Sequence, residues 1–186
     1  QAARIPIGFG PETEIITLGA NVSPAIHYQE SRDLLPDRSH NESFDRLIET
    51  GALGLVAYLW LVASAIYLVF RRLGLAAPGP DTILYGVVVL LGTAGAALLP
   101  VVLGLPLYLG FGSALGLLVG VWIFLLIQSF SNRSGASVSR EGQWLLAALL
   151  AALVGHLVDI SLGPANPVNR VMFWAFLALI GALAAR

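Results

Sequence analysis

Five apolar runs, each close to the roughly 20 residues that a helix needs to cross a bilayer, leave this chain few folds to choose from. They fall at 52–70, 83–102, 108–128, 144–162 and 169–185. Backbone in hydrocarbon has to satisfy its own hydrogen bonds, so runs of this length are expected to be helices. The expected fold class is an all-α membrane protein of about five transmembrane helices, with the lipid bilayer as its first partner. Composition agrees: 57% of the 186 residues are hydrophobic and 11% are charged, against about a quarter charged in an average soluble domain. A net charge of −1 lacks the basic footprint of nucleic-acid binders, so no nucleic-acid partner is expected.

Residues 1–50 have a different character. They hold twelve charged side chains, more than the rest of the chain together, and read as a solvated, helical loop domain preceding a transmembrane bundle at 51–186. Pro11 followed by Glu12 and Glu14, with Gly19 as a stop, predicts a short helix over 11–18. Ser23-Pro24 opens a second helix, over 23–35, that Pro36 ends. Ser39 followed by Glu42 has the spacing of a capping box, which makes His40 the first residue of a helix running unbroken into the first span. On that helix His40, Phe44, Leu47 and Gly51 share one face, turning the imidazole toward the protein or the bilayer surface.

Arginines set the expected sidedness. If five spans alternate, Arg71, Arg72, Arg133, Arg140 and Arg186 lie on one face, which the positive-inside rule makes cytoplasmic. The loop 1–50 and the connection 162–169 then lie on the outer face, where Arg170 is an exception. Gly112, Gly116 and Gly120 recur at the four-residue spacing that lets membrane helices approach closely. Pro100, Gly104 and Pro106 mark either the outer turn between the second and third spans or a re-entrant kink.

Every basic residue is arginine, which suits bidentate recognition of phosphate and equally fits a biased genome. The absence of Cys removes disulfides, thiolate metal sites and Cys nucleophiles. No zinc-ligand or aspartate-rich motif is present, so neither a metal nor another cofactor is expected. His156 and Asp159 sit three apart near the outer end of the fourth span; such residues are costly in a membrane. They read either as a functional pair or as a structural tie to Arg170 on the last span.

Arg38-Ser39-His40-Asn41, followed by Phe44, Glu49, Gly51 and Gly54, resembles the signature that closes the large extracytoplasmic loop in the O-antigen ligase and O-antigen polymerase family of membrane glycosyltransferases. Pro6-Ile7-Gly8-Phe9-Gly10-Pro11-Glu12-Thr13 resembles the turn that opens the same loop. His156-Leu157-Val158-Asp159, Pro164 and Phe173-Trp174 are similar to the family's last two helices. The resemblance implies a location in the bacterial inner (cytoplasmic) membrane and further N-terminal transmembrane helices of the same protein before Gln1. It implies a polyprenyl-diphosphate-linked glycan as donor and a glycolipid or polysaccharide as acceptor, with a metal-independent, inverting reaction.

In that chemistry a neutral imidazole can take the acceptor's proton near neutral pH, and His40 is the candidate general base. The departing diphosphate needs charge neutralisation, which guanidinium groups supply; Arg38, Arg4 and Arg170 are the candidates. His156, Asp159 and Glu49 form a structural or secondary site. The alternative is a non-enzymatic membrane transporter or channel, with the 1–50 loop as a lid over a path lined by His156, Asp159 and Arg170.

Overall fold

The computed structural model describes residues 4–19, 39–131, 135–163 and 166–184. Among these the chain is helical and has no strand. A short α1 (Glu14–Gly19) precedes five long helices: α2 (Glu42–Arg72), α3 (Pro80–Val102), α4 (Leu109–Ser129), α5 (Arg140–Leu162) and α6 (Pro167–Ala184). A single 3-10 turn, Pro106–Tyr108, links α3 to α4. The expected second loop helix, 23–35, lies outside the described residues. All five long helices are long and apolar enough to cross a membrane, with mean hydropathy from 1.6 to 2.2 over their best windows. The protein is an all-helical integral membrane protein.

Local sequence accounts for most helix ends. α3 and α6 begin on Pro80 and Pro167, whose rings preset the helical φ and whose missing N–H is not needed in a first turn. Ser139 caps α5 by accepting from Gly142 N–H at 3.3 Å, with Glu141 in the first turn. Arg71 and Arg72 occupy the last turn of α2, where cations suit the dipole. α3 continues through Pro100 and the chain reverses at Gly104, which has φ 76°, so the turn between the second and third spans is formed and the re-entrant alternative at Pro100 is not. α1 starts at Glu14 instead of Pro11 because Glu12 takes a left-handed φ of 56°, which no helix accommodates.

α2 is the central helix, with α4, α5 and α6 packed against it. Hydrophobic burial does not drive association between helices in lipid, so close van der Waals fit has to. The α3–α4 hairpin supplies it through glycine. A Cβ at Gly120 would meet the Val88 carbonyl oxygen and Val89 Cα at 2.6 Å, and Gly112 and Gly116 lie against the Ala96 and Gly92 carbonyls just as tightly. Toward the far end of the bundle Phe70, Tyr85 and Phe124 interlock, Phe70 stacking on Phe124 at 5.9 Å between ring centroids. The Tyr85 hydroxyl donates to the Ala63 carbonyl of α2 at 2.8 Å. At that same end Arg72 of α2 donates to the Ala184 carbonyl, joining α2 to the end of α6.

α2 does not run unbroken, as the capping pattern had suggested. Gly51 has φ 70° and ψ −171°, a conformation essentially confined to glycine, and it breaks the helix into 42–50 and 52–72. The loop at 5–10 enters the break. Phe9 and Gly10 donate to the Ile48 and Glu49 carbonyls at 2.8 and 2.9 Å, and Ala52 and Leu53 donate to the Ile5 and Pro6 carbonyls at 2.9 and 3.1 Å. Ala52 to Ile48 and Leu53 to Glu49 are the pairs a continuous helix would have made. Two helical bonds are thus exchanged for four bonds to the loop. Gly8 (φ 71°) and Gly51 face each other so closely that a Cβ on either would strike the opposing backbone.

Gly51→Ala is therefore expected to cost about 1–3 kcal/mol in backbone strain alone and to expel the loop. Amide hydrogen exchange checks this: Phe9 and Gly10 should lose protection while α5 keeps its own. Undiminished protection of those two amides would show that the break does not depend on glycine.

Candidate functional site

The first segment of α2, residues 42–50, carries the buried polar side chains Glu42, Ser43, Asp45 and Glu49. Its N-cap is Asn41, whose Oδ1 accepts from Phe44 N–H at 2.9 Å. The expected capping box of Ser39 and Glu42 is not formed. Asn is as good a cap as Ser, and here its Nδ2 also donates to the Ser161 carbonyl at the end of α5, at 2.9 Å. Glu42 is drawn away from the chain start by arginine. His40 consequently lies outside the helix, one residue before the cap, exposed and with φ 59°. A left-handed backbone of this kind costs a non-glycine residue on the order of 1–3 kcal/mol.

Glu42 is buried, with 3% of its surface exposed. Its Oε1 pairs with Arg46 Nη2 at 2.6 Å and its Oε2 faces Arg170 Nη2 of α6 at 3.6 Å. Arg46 also faces Glu49 at 3.7 Å, while Glu49 Oε1 accepts from the Glu12 N–H of the loop at 3.2 Å. Two carboxylates and two guanidiniums thus tie the loop, α2 and α6 into one network. Beneath it lies a cavity of about 270 Å³, walled by Glu42, Arg46, Tyr58, His156, Arg170, Phe173 and Trp174, among others. Several donors in these walls are buried without a hydrogen-bond acceptor among the described residues: Arg46 Nε, Arg170 Nε and Nη2, and the Tyr58 hydroxyl. Buried donors without partners are unusual and unfavourable. Arg46 and Arg170 thus bring two guanidiniums to the cavity wall beside the Glu42 carboxylate, whose Oε2 is likewise buried without a hydrogen bond.

The sequence candidates separate on this geometry. Arg170 and His156 line the cavity, His156 stacking on Phe173 at 5.6 Å. Glu49 is buried and holds the loop. Arg4 is exposed in the loop, where its carbonyl accepts from Gly8, and it does not line the cavity. Arg38 lies outside the described residues. Asp159 was expected to pair with Arg170 or His156; instead it is exposed and accepts from Asn169 Nδ2 at 3.1 Å, because Arg170 is turned inward to Glu42. Arg46 and Tyr58 belong to the site and were not among the candidates. The signal for Arg46 was its position four after Glu42 and three before Glu49 on one helix; for Tyr58 there was none. Among the described residues no group of three metal-ligating side chains is assembled.

Comparison with known proteins returns no matching family model, no matching curated protein and no matching solved structure.

Removing one partner of a buried charge network leaves the others uncompensated, at a cost of about 3–5 kcal/mol. Glu42→Ala should therefore lower the thermal unfolding midpoint far more than Asp159→Asn, which removes one exposed acceptor. Equal shifts in the two variants would mean that the Glu42 network contributes no more than a surface pair.

Proposed function

We propose that this protein is a membrane glycosyltransferase that moves a glycan from a polyprenyl-diphosphate donor to a hydroxyl acceptor, a glycolipid or a polysaccharide. The observation that carries the reading is a cavity at one end of the bundle whose wall brings together the Arg46 and Arg170 guanidiniums with Tyr58 and His156. A diphosphate is the anion that a lipid-borne donor would bring to such a place. The sequence resemblance around His40 and Gly8 supports the same chemistry.

In this reading the acceptor hydroxyl gives its proton to His40, and its oxygen bonds to the anomeric carbon from the face opposite the diphosphate. The anomeric C–O bond breaks, and the diphosphate leaves with the electron pair, its added charge taken up by guanidinium groups. Arg170 and Arg46, which line the cavity, are the candidates for that role; Arg4 and Arg38 remain candidates through the resemblance alone. Only Asn41 separates His40 from Glu42, so their Cα atoms are within about 7.6 Å of each other. That keeps the proposed base close to the arginine network while its exposed side chain meets an acceptor from water.

The proposed location is the bacterial inner membrane with this end facing outward. Arg71, Arg72 and Arg140 stand at the opposite end, as the positive-inside rule asks of a cytoplasmic face. A transporter or channel fits less well. Such a path needs polar groups through the bilayer, and α3 and α4 carry no charged residue beyond Asp81 at the start of α3.

Reconstituted protein given a polyprenyl-diphosphate glycan and a hydroxyl acceptor tests the reading. His40→Ala should reduce transfer by about 10²- to 10⁴-fold, the usual contribution of a general base, without loss of donor binding. Arg170→Lys keeps the charge but not the bidentate fork, and should raise the donor KM. Near-normal transfer in both variants would remove this site from the reaction.

A further inference from the structure

We propose that Asp45, acting through Ser39, is a positioning residue that sets the direction of the His40 imidazole. The inference rests on His40 being the general base of the proposed reaction.

His40 is one of two non-glycine residues with positive φ among the described residues. Left alone, an L-residue returns to the α or β region, so its neighbours have to hold it there. Both neighbours are anchored. On one side the Ser39 N–H donates to Asp45 Oδ1 at 3.0 Å, and the Ser39 hydroxyl reaches the same oxygen. That hydroxyl also lies 3.0 Å from the Asn41 carbonyl and accepts from the Asn41 N–H at 3.3 Å. The carboxylate is the stronger acceptor for its single proton. On the other side Asn41 is fixed by its cap to Phe44 and by its bond to Ser161 of α5. Gly110 of α4 closes the third side, since a Cβ there would meet Asn41 Oδ1 at 2.5 Å.

Asp45 itself is fully buried. Among the described residues its hydrogen bonds come only from Ser39, and its Oδ2 has no partner. Among the described residues it forms no ion pair. Burying a carboxylate is costly unless hydrogen bonds compensate it, and among the described residues those that do come from Ser39. An acid near a helix start favours the dipole, but that benefit requires neither burial nor Ser39. What the arrangement accomplishes is to pin residue 39. With residues 39 and 41 both fixed, the Cα–Cβ bond of His40 has one direction, and relaxation to negative φ would swing the imidazole elsewhere.

The test uses the full chain in lipid vesicles with a polyprenyl-diphosphate glycan and a hydroxyl acceptor. Ser39→Ala, Ser39→Thr and Asp45→Asn are each made alone and on a His40→Ala background. Ser39 is only half-buried, so Ser39→Ala keeps the experiment decisive even if Asp45→Asn fails to fold. Ser39→Ala should lower kcat roughly ten- to hundredfold, the scale of a small misplacement of a reacting group, with donor KM and thermal midpoint unchanged. Ser39→Thr, which keeps the hydroxyl, should restore kcat. On the His40→Ala background Ser39→Ala should have no further effect, since a residue acting through His40 has nothing left to position. An unchanged kcat in Ser39→Ala, or the same fold loss with and without His40, overturns the positioning role and leaves the base assignment standing. Wild-type transfer by His40→Ala overturns the base assignment and the positioning role with it.

Discussion

The break in α2 at Gly51, and the loop that fills it, is the interaction on which the rest of this end of the molecule depends. A helix interrupted near the bilayer leaves carbonyls and amides that hydrocarbon cannot satisfy. Here the loop at 5–10 supplies both kinds of partner, donating to Ile48 and Glu49 and accepting from Ala52 and Leu53. The exchange works only if two backbones come into direct contact, and the two left-handed glycines, Gly8 and Gly51, are what let them. The loop is therefore held by backbone bonds, which specify register whatever the neighbouring side chains.

The break also redirects the first half of α2. The segment 42–50 departs from the axis of 52–72 and carries Glu42, Arg46 and Glu49 with it. Glu42 then sits between two guanidiniums, one on its own helix and one on α6. Neither pair alone would repay the desolvation of a carboxylate exposed by only 3%. A shared carboxylate reduces the number of buried ions that need compensation, and it couples the start of α2 to the start of α6. Thr50 contributes locally, its hydroxyl donating to the Arg46 carbonyl while its side chain fills the space that Gly54 leaves open.

What could be read from the sequence follows from the range of the forces involved. The helices were legible because length and apolarity are properties of each segment by itself, and the glycine stripe on α4 because small residues at four-residue spacing have one dominant use in a membrane. Gly8 and Gly51 both stood in recognisable motifs, yet nothing local says that they touch. Ser39 had the spacing of a cap, but Asn41 takes that place, held by Ser161 far along the chain, while arginine draws the Glu42 carboxylate away. Asp159 and Arg170 were within reach of each other, but the nearer opposite charge lost to a buried one. A charge in low dielectric gains more from a partner than an exposed one does, so Arg170 turns inward and Asp159 accepts from Asn169 instead.

The two halves of the proposed site differ in the solvent they meet, and that difference suits its two substrates. Arg46, Arg170 and Tyr58 stand in the wall of a cavity whose other walls are largely aromatic and aliphatic, and hydrogen bonds strengthen where the local dielectric is low. A lipid-borne diphosphate reaches such a cavity without passing through water. His40 is exposed, where a hydrophilic acceptor can approach. An imidazole buried among the arginines would be disfavoured in its protonated form by their charge, and the base would lose its driving force for accepting a proton. In the proposed reading the acceptor meets His40 on exposed, non-helical chain while the donor's diphosphate meets the arginines in the cavity wall.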